Sequence, residues 1–252
     1  MSKIVAIHSF RRSAGRSNLV ANLAVLLAKQ GRRVGVLDVD FQSPSLHLLF
    51  GVKLDSSQMK LNNYLRGECQ VETVCHDISQ DMGVKPPAQI IFLPASPDAA
   101  DIAQMLRTSY PSEQLDNALQ ELEEKYALDF LLLDTAAGLS EETLTPIALA
   151  NALIVLMRPD QQDYQGTAVV LEVAGSLGVP HNSLVLTYTP GEFDADKLVQ
   201  ELEATYSCRV GALLPYSEKL STMASRRILA LHDPGDAYIK EALRLVSWLK
   251  MQ

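Results

Sequence analysis

Three stretches of the sequence set chemically useful side chains at close spacing. Ser9-Phe10-Arg11-Arg12-Ser13-Ala14-Gly15-Arg16-Ser17 gathers three guanidiniums, a glycine and three hydroxyls between an apolar run and a helical one. A loop in that position presents helix N-terminal amides and their partial positive charge, the usual setting for an anion such as phosphate. The general phosphate-loop pattern is G-x-x-x-x-G-K-[ST]: its glycines let backbone N–H groups wrap a phosphate, and its lysine and hydroxyl hold the outer phosphates and magnesium. Gly15 and Ser17 match it, while Phe10 stands in place of the first glycine and Arg16 in place of the lysine. Leu37-Asp38-Val39-Asp40-Phe41-Gln42-Ser43-Pro44-Ser45 sets two carboxylates at alternate positions, and Leu131-Leu132-Leu133-Asp134 ends a second apolar run in an aspartate followed by a turn to Gly138. An apolar strand ending in aspartate beside a phosphate loop is a way to hold magnesium, directly or through water. The convergence of the three stretches points to phosphate and metal; an arginine turn that is merely solvated is the plain alternative for the loop.

These residues need a scaffold that brings three loops to one edge. Short β-rich runs alternate with stretches of helical period, as in a parallel sheet covered by helices on both faces. The expected strands are Lys3–His8, Arg33–Leu37, Gln89–Leu93, Phe130–Leu133, Leu153–Met157, Ser183–Leu186 and Gly211–Leu214. Between the first two, Leu19, Leu23, Leu26 and Leu27 recur at helical spacing over Ser17–Gln30, and Gly31 supplies a stop. Further helices are expected over Ser112–Lys125, Glu141–Ala150, Gln165–Leu177, Ala195–Thr205 and Asp236–Leu249, with Ser56–Pro87 the most irregular region. The predicted fold class is α/β, a doubly wound, mostly parallel sheet of about seven strands in a three-layer, Rossmann-like sandwich, as one domain over residues 1–252. In such sheets ligands bind at the carboxyl ends of the strands, where all three unusual loops lie.

Composition sets the outer limits. With 47% hydrophobic and 21% charged residues in a chain of 252, the sequence is ordinary for a folded domain and excludes collagen, disorder and a disulfide scaffold. Its 22 basic and 30 acidic side chains give a formal charge of −8, so binding to nucleic acid or a membrane would need a local basic patch. Cys69, Cys75 and Cys208 form no CxxC pair, and the five histidines lack ligand spacing, which is read as free thiols in a reducing compartment. The apolar run Ile4 to Ile7 is too short for a signal-peptide core, and no run reaches the ~18 residues that span a bilayer; a cytoplasmic protein is expected.

Taken together, the loop, the Asp38–Gly51 segment ending Ser-Leu-His-Leu-Leu-Phe-Gly, the Asp134–Leu139 stretch, and Leu213-Leu-Pro-Tyr-Ser with His232-Asp-Pro resemble the ParA/MinD family of P-loop ATPases. The deviant Walker A loop of that family reads K-G-G-x-G-K-[ST]. The resemblance covers nearly the whole chain and implies ATP or ADP with Mg2+ as cofactors and a nucleotide-dependent homodimer with a regulatory protein partner. Matched residue by residue, it implies that Arg11 reaches the partner's nucleotide and that Arg11, Arg12, Ser13, Ala14, Gly15, Arg16, Ser17 and Asn18 form the loop around the phosphates. It also implies that Ser17 contacts magnesium, Asp40 orients the attacking water near the metal, Asp134 stands behind the metal and Gly138 senses the γ-phosphate. Thr187 and Pro215 fall where the adenine pocket lies.

The chain also departs from that pattern. Arg11 and Arg16 replace the two lysines, Phe10, Arg12 and Ser13 fill glycine positions, and Ala136 replaces a proline. Both charges survive, but arginine is larger and planar, and a side chain at a left-handed glycine costs on the order of 1 kcal/mol or more. Two functions follow: an ATP-binding positioning switch with slow hydrolysis, or a pseudo-ATPase that keeps the fold as a non-hydrolysing adaptor. Metal-cluster delivery would need a CxxC, and a dinucleotide-binding Rossmann enzyme would need GxGxxG after the first strand; neither motif is present. The apolar stripe of Asp236–Gln252 is read as docking on the core rather than on lipid, with Trp248 the residue that would speak for lipid. Non-specific DNA binding would have to use Lys219, Arg226 and Arg227.

Overall fold

The structure, a computed structural model, describes residues 1–189 and 194–252. In chain order the elements are β1 (Lys3–Ser9), α1 (Arg16–Lys29), β2 (Arg33–Val39), α2 (Leu46–Phe50), α3 (Leu61–Leu65), a 3-10 turn (Val71–Val74), β3 (His76–Asp77), β4 (Gln89–Leu93), α4 (Ala99–Thr108) and α5 (Ser112–Tyr126). They continue with β5 (Phe130–Thr135), α6 (Glu141–Leu149), β6 (Ala152–Met157), α7 (Gln161–Ser176), β7 (His181–Thr189), α8 (Ala195–Tyr206), β8 (Arg209–Pro215), α9 (Glu218–Met223), α10 (Leu229–His232) and α11 (Ala237–Met251). The sheet has the order β3-β4-β2-β5-β1-β6-β7-β8. Every pairing is parallel except β3 with β4, where His76 faces Phe92 and Asp77 faces Ile91.

Because helices cover both faces, strand residues of either parity are apolar and buried. Val5, Ile7, Val34, Val36, Leu132 and Ile154 pack against α1 and α11, together with Leu19, Leu23, Leu27, Leu245 and Leu249. On the opposite face, Leu37, Leu131 and Leu133 meet α5, and Ala6, Leu153 and Val155 meet α6 and α7. Full burial of each such side chain contributes about 1.5–3 kcal/mol. The apolar stripe of α11 is spent on this core: Trp248 is 4% exposed and Tyr238, Ile239 and Val246 are buried. No helix among the described residues is long and apolar enough to cross a membrane.

Register fixes the site. β1 lies at the centre beside β5, with Ile7 opposite Asp134, and β2 flanks β5 with Asp38 opposite Asp134. The loops after β1, β2 and β5 therefore emerge side by side.

All seven expected strands are present, extended by up to a few residues at their ends, and an eighth, β3, adds two residues within the region expected to be irregular. The helix α4 has no counterpart in the sequence reading; its burial is slight, with Met105 alone of its ten residues buried. The start of α7 is four residues earlier than expected, at Gln161, because Asp160 caps it by accepting a hydrogen bond from the Asp163 N–H at 3.0 Å.

Candidate functional site

The loop between β1 and α1 is held by specific contacts. Ser9 Oγ donates to the Arg11 carbonyl at 2.6 Å, and the Gly138 N–H donates to the Ser9 carbonyl at 3.0 Å, tying the loop to the turn after β5. Gly15 enters α1 at φ +90°, a conformation that favours glycine, whereas Ser13 holds φ +65° despite its side chain. The Phe10 ring lies against Gly166 of α7 so closely that a Cβ there would come within 2.0 Å of it.

All three arginines have partners. Arg11 Nη1 donates to both Asp160 oxygens at 3.1 and 3.3 Å, and its Nε lies 3.6 Å from Asp163 Oδ1. Arg12 Nη2 donates to Gln42 Oε1 at 2.8 Å, and the Gln42 amide donates in turn to Glu142 at 3.1 Å. Arg16 is 8% exposed and turns back beneath the loop. Its Nε donates to the Thr135 carbonyl at 2.9 Å, Nη1 donates to Ser9 Oγ, and Nη2 donates to Asp40 Oδ2 at 3.2 Å. The side chain in the lysine position is thus fully engaged within the protein.

The three aspartates have different surroundings. Asp38 Oδ2 accepts the N–H groups of Ser45 and Leu46 at 3.1 and 3.2 Å, fixing the start of α2; burial, with the charges of Asp134 and Asp40, pushes its pKa well up. Asp40 Oδ1 accepts the Ser43 N–H at 3.0 Å while Oδ2 faces Arg16. Asp134 is completely buried and neither carboxylate oxygen has a hydrogen-bond partner. Burial, with the charge of Asp40, raises its pKa to about 7, against the pull of the Arg16 guanidinium and of the adjacent Ser17 hydroxyl. Nearby, Ser45 Oγ donates to Ser17 Oγ at 3.1 Å.

Among the described residues there is no cluster of three or more His, Cys, Asp or Glu side chains able to cage a metal. Magnesium does not require one, because it keeps waters and takes phosphate oxygens alongside one or two protein ligands. An unpartnered buried carboxylate next to a serine hydroxyl at the mouth of a phosphate loop fits that pattern.

Two adjoining clefts open here. One of about 460 Å³ runs along Arg12, Ser13, Ala14, Gly15, Arg16, Ser17 and Asn18 to Asp40, Ser43 and Ser45. The other, about 210 Å³, shares Ala14, Gly15 and Asn18 and continues between Thr187, Tyr188, Pro215 and Tyr216. The structure therefore brings Arg12 to Asn18 of the sequence-expected loop, with Thr187 and Pro215, onto adjoining clefts, while Arg11 lines neither and points to Asp160 and Asp163; Gly138 lies against the back of the loop. The Thr187 hydroxyl donates to the Met157 carbonyl at 3.2 Å.

Several residues of this neighbourhood escaped sequence reasoning. Asp160 and Asp163, which hold Arg11, carried a readable signal in the D-x-x-D spacing after β6. Tyr188 and Tyr216 sit beside Thr187 and Pro215 but match no motif. His8 is fully buried below the loop. The Thr135 hydroxyl lies 2.7 Å from His8 Nδ1 and 2.9 Å from the Ile7 carbonyl. Burial and the Arg16 charge lower the His8 pKa to about 3.

A family profile described as an AAA domain matches residues 2–182. The chain is 28% identical to an uncharacterized ATP-binding protein of Methanocaldococcus jannaschii over 71% of its own length and 61% of that protein's, so it spans under two thirds of that relative. It is 27% identical to a putative septum site-determining protein MinD of Emiliania huxleyi, over 98% of this chain and 88% of the other. In fold it is similar to the septum site-determining protein MinD of Pyrococcus horikoshii, solved with Mg-ADP, at TM-score 0.80 and 20% identity over 99% and 96% of the two chains. A plasmid partition protein of Borrelia burgdorferi bound to AMPPNP superposes at TM-score 0.80 and 17% identity, each chain covered in full.

Proposed function

The chain belongs to the AAA-domain family in its ParA/MinD form of P-loop ATPases, and on that premise we propose that it is a nucleotide switch which binds ATP or ADP with Mg2+, pairs with a second copy when ATP is bound, and positions or regulates a cellular cargo with slow hydrolysis. The observation that carries this reading is the buried, unpartnered Asp134 carboxylate beside adjoining clefts that run from the loop to Thr187 and Pro215. An ionised carboxylate without partners is expensive to bury, and a cation brought by a phosphate ligand would compensate it. The putative septum site-determining relative of Emiliania huxleyi and the plasmid partition protein of Borrelia burgdorferi support a positioning role.

In this reading the amides at the start of α1 receive the phosphates, and Arg16 exchanges Asp40 for phosphate oxygens, to which its planar fork is suited. Asp40, released, accepts a hydrogen bond from the attacking water, and Arg11, released from Asp160 and Asp163, extends toward the partner's nucleotide. Ser17 and Asp134 would hold Mg2+, which neutralises phosphate charge when bound. Hydrolysis is slow because the residue that must orient water starts out neutralised by an ion pair.

That same ion pair favours the second reading, a pseudo-ATPase adaptor, because Arg16 already has acceptors for all its nitrogens. Titration with a fluorescent ATP analogue, with and without Mg2+, followed by light scattering, separates the two. Mg2+-dependent, ATP-competable binding with a doubling of mass is expected; the absence of competable binding at millimolar ATP would leave the adaptor.

A further inference from the structure

Of the three loop arginines, Arg12 is the one free to move. Arg11 is held by two carboxylates and Arg16 is buried among its acceptors. Arg12 is exposed, and its one hydrogen-bond partner among the described residues is the neutral side-chain amide of Gln42 at 2.8 Å. Arg12 borders the larger cleft, whereas Gln42 and Glu142 do not line it. Its guanidinium is thus tied to a side chain outside the hollow it borders.

The amide of Gln42 has one orientation open to it. Its oxygen accepts from the Arg12 cation and its N–H group donates to the Glu142 carboxylate at 3.1 Å, so a flip would set donor against donor and acceptor against acceptor. Hydrogen bonds with an ionised group at each end are the strong kind. Burial and the charge of Asp40 raise the pKa of Glu142, so a cation at the other end of the amide favours its ionised form. The backbone around this chain is pinned: Phe41 is fully buried with its ring edge-on to Tyr110 at 5.4 Å, and Tyr110 Oη lies 3.5 Å from the Glu142 carbonyl. What remains free to leave is the Arg12 side chain.

We infer that Gln42 and Glu142 set the phosphate affinity of the larger cleft by tethering the Arg12 guanidinium. A phosphate chain that enters competes with the Gln42 amide for Arg12, and it does so against the negative charge at the far end of that amide. The inference rests on the nucleotide reading given above and names positioning residues for the part of the site that takes phosphate. Arg12, standing at a glycine position of the family loop, then adds less to binding than its charge suggests, because its attraction for phosphate is offset by the loss of the Gln42 bond. Linkage makes the effect reciprocal: phosphate in the cleft weakens the tie between the loop and the start of α6.

The test is calorimetric titration of the folded protein with inorganic tripolyphosphate. Gln42→Ala cuts the tether without changing the charge, and it should bind tripolyphosphate roughly fivefold more tightly than the unaltered protein, the scale of one net hydrogen bond. Glu142→Gln should also tighten binding, and by more than Glu141→Gln, which removes the same charge from the exposed neighbouring side chain. In an Arg12→Ala background, Gln42→Ala should change nothing. Unchanged or weaker binding by Gln42→Ala, equal gains from Glu142→Gln and Glu141→Gln, or tightening that persists without Arg12 overturns the tether and leaves the nucleotide reading standing. Failure of ATP and tripolyphosphate alike to bind the folded protein overturns both.

Discussion

Arg16 shows how far residue type alone can be read. Its position in the sequence marks it as the cation of a phosphate loop, whereas in the structure its guanidinium turns beneath the loop; that it is satisfied there by Thr135, Ser9 and Asp40 depends on distances no pattern encodes. The same holds for the carboxylates: Asp38, Asp40 and Asp134 were visible as a set, but which of them caps a helix, which pairs and which is left bare follows from register. Lysine at position 16 keeps the charge yet cannot reach three acceptors at once. Arg16→Lys is therefore expected to lower stability by about 1–2 kcal/mol through lost buried hydrogen bonds and to raise phosphate release severalfold by freeing Asp40. Denaturant melts and a single-turnover hydrolysis assay measure both, and a variant unchanged in turnover would remove the Arg16–Asp40 pair as the brake.

At the scale of elements, the strands of the parallel sheet were legible because each is a dense β-rich run bounded by polar loops. What remained hidden was coupling between elements. The phosphate loop is anchored to α7 twice, by Arg11 on Asp160 and by the Phe10 ring on Gly166. Phe10 seemed, as a sequence letter, only a lost glycine; in the structure it is the piece that fits against a glycine on another helix. Gly166→Ala would raise helix propensity, yet it should destabilise the protein by about 1–3 kcal/mol, since the new methyl overlaps the ring. Phe10→Ala in the same chain should recover most of that loss. A double-mutant cycle in urea reads the coupling, and additive effects would show that the ring finds another seat.

For the molecule as a whole, the burial of a neutral histidine beneath the loop sets part of the response to acid. His8 has its pKa lowered to about 3 by burial and by Arg16, against about 6.5 in the unfolded chain. Between those values the unfolded state binds a proton that the folded state does not, so this contribution is complete above pH 6.5 and is lost at about 1.4 kcal/mol per pH unit as pH falls toward 3. The raised pKa of Asp38 and of Asp134 acts in the opposite sense. The comparison that isolates the histidine is with His8→Gln: from pH 7 to pH 5 the unaltered protein should lose about 2 kcal/mol more than the variant, and parallel stability curves would deny His8 this part. The stub β3 bears on the molecule's behaviour in company. A long apolar strand at a sheet edge invites other chains to add on, and β4, Gln-Ile-Ile-Phe-Leu, is such a strand. Two residues turned antiparallel against it, with Asp77 accepting the Gln89 amide at 2.7 Å, close that flank with a charge, so a chain that lost His76 and Asp77 would be prone to aggregate through β4.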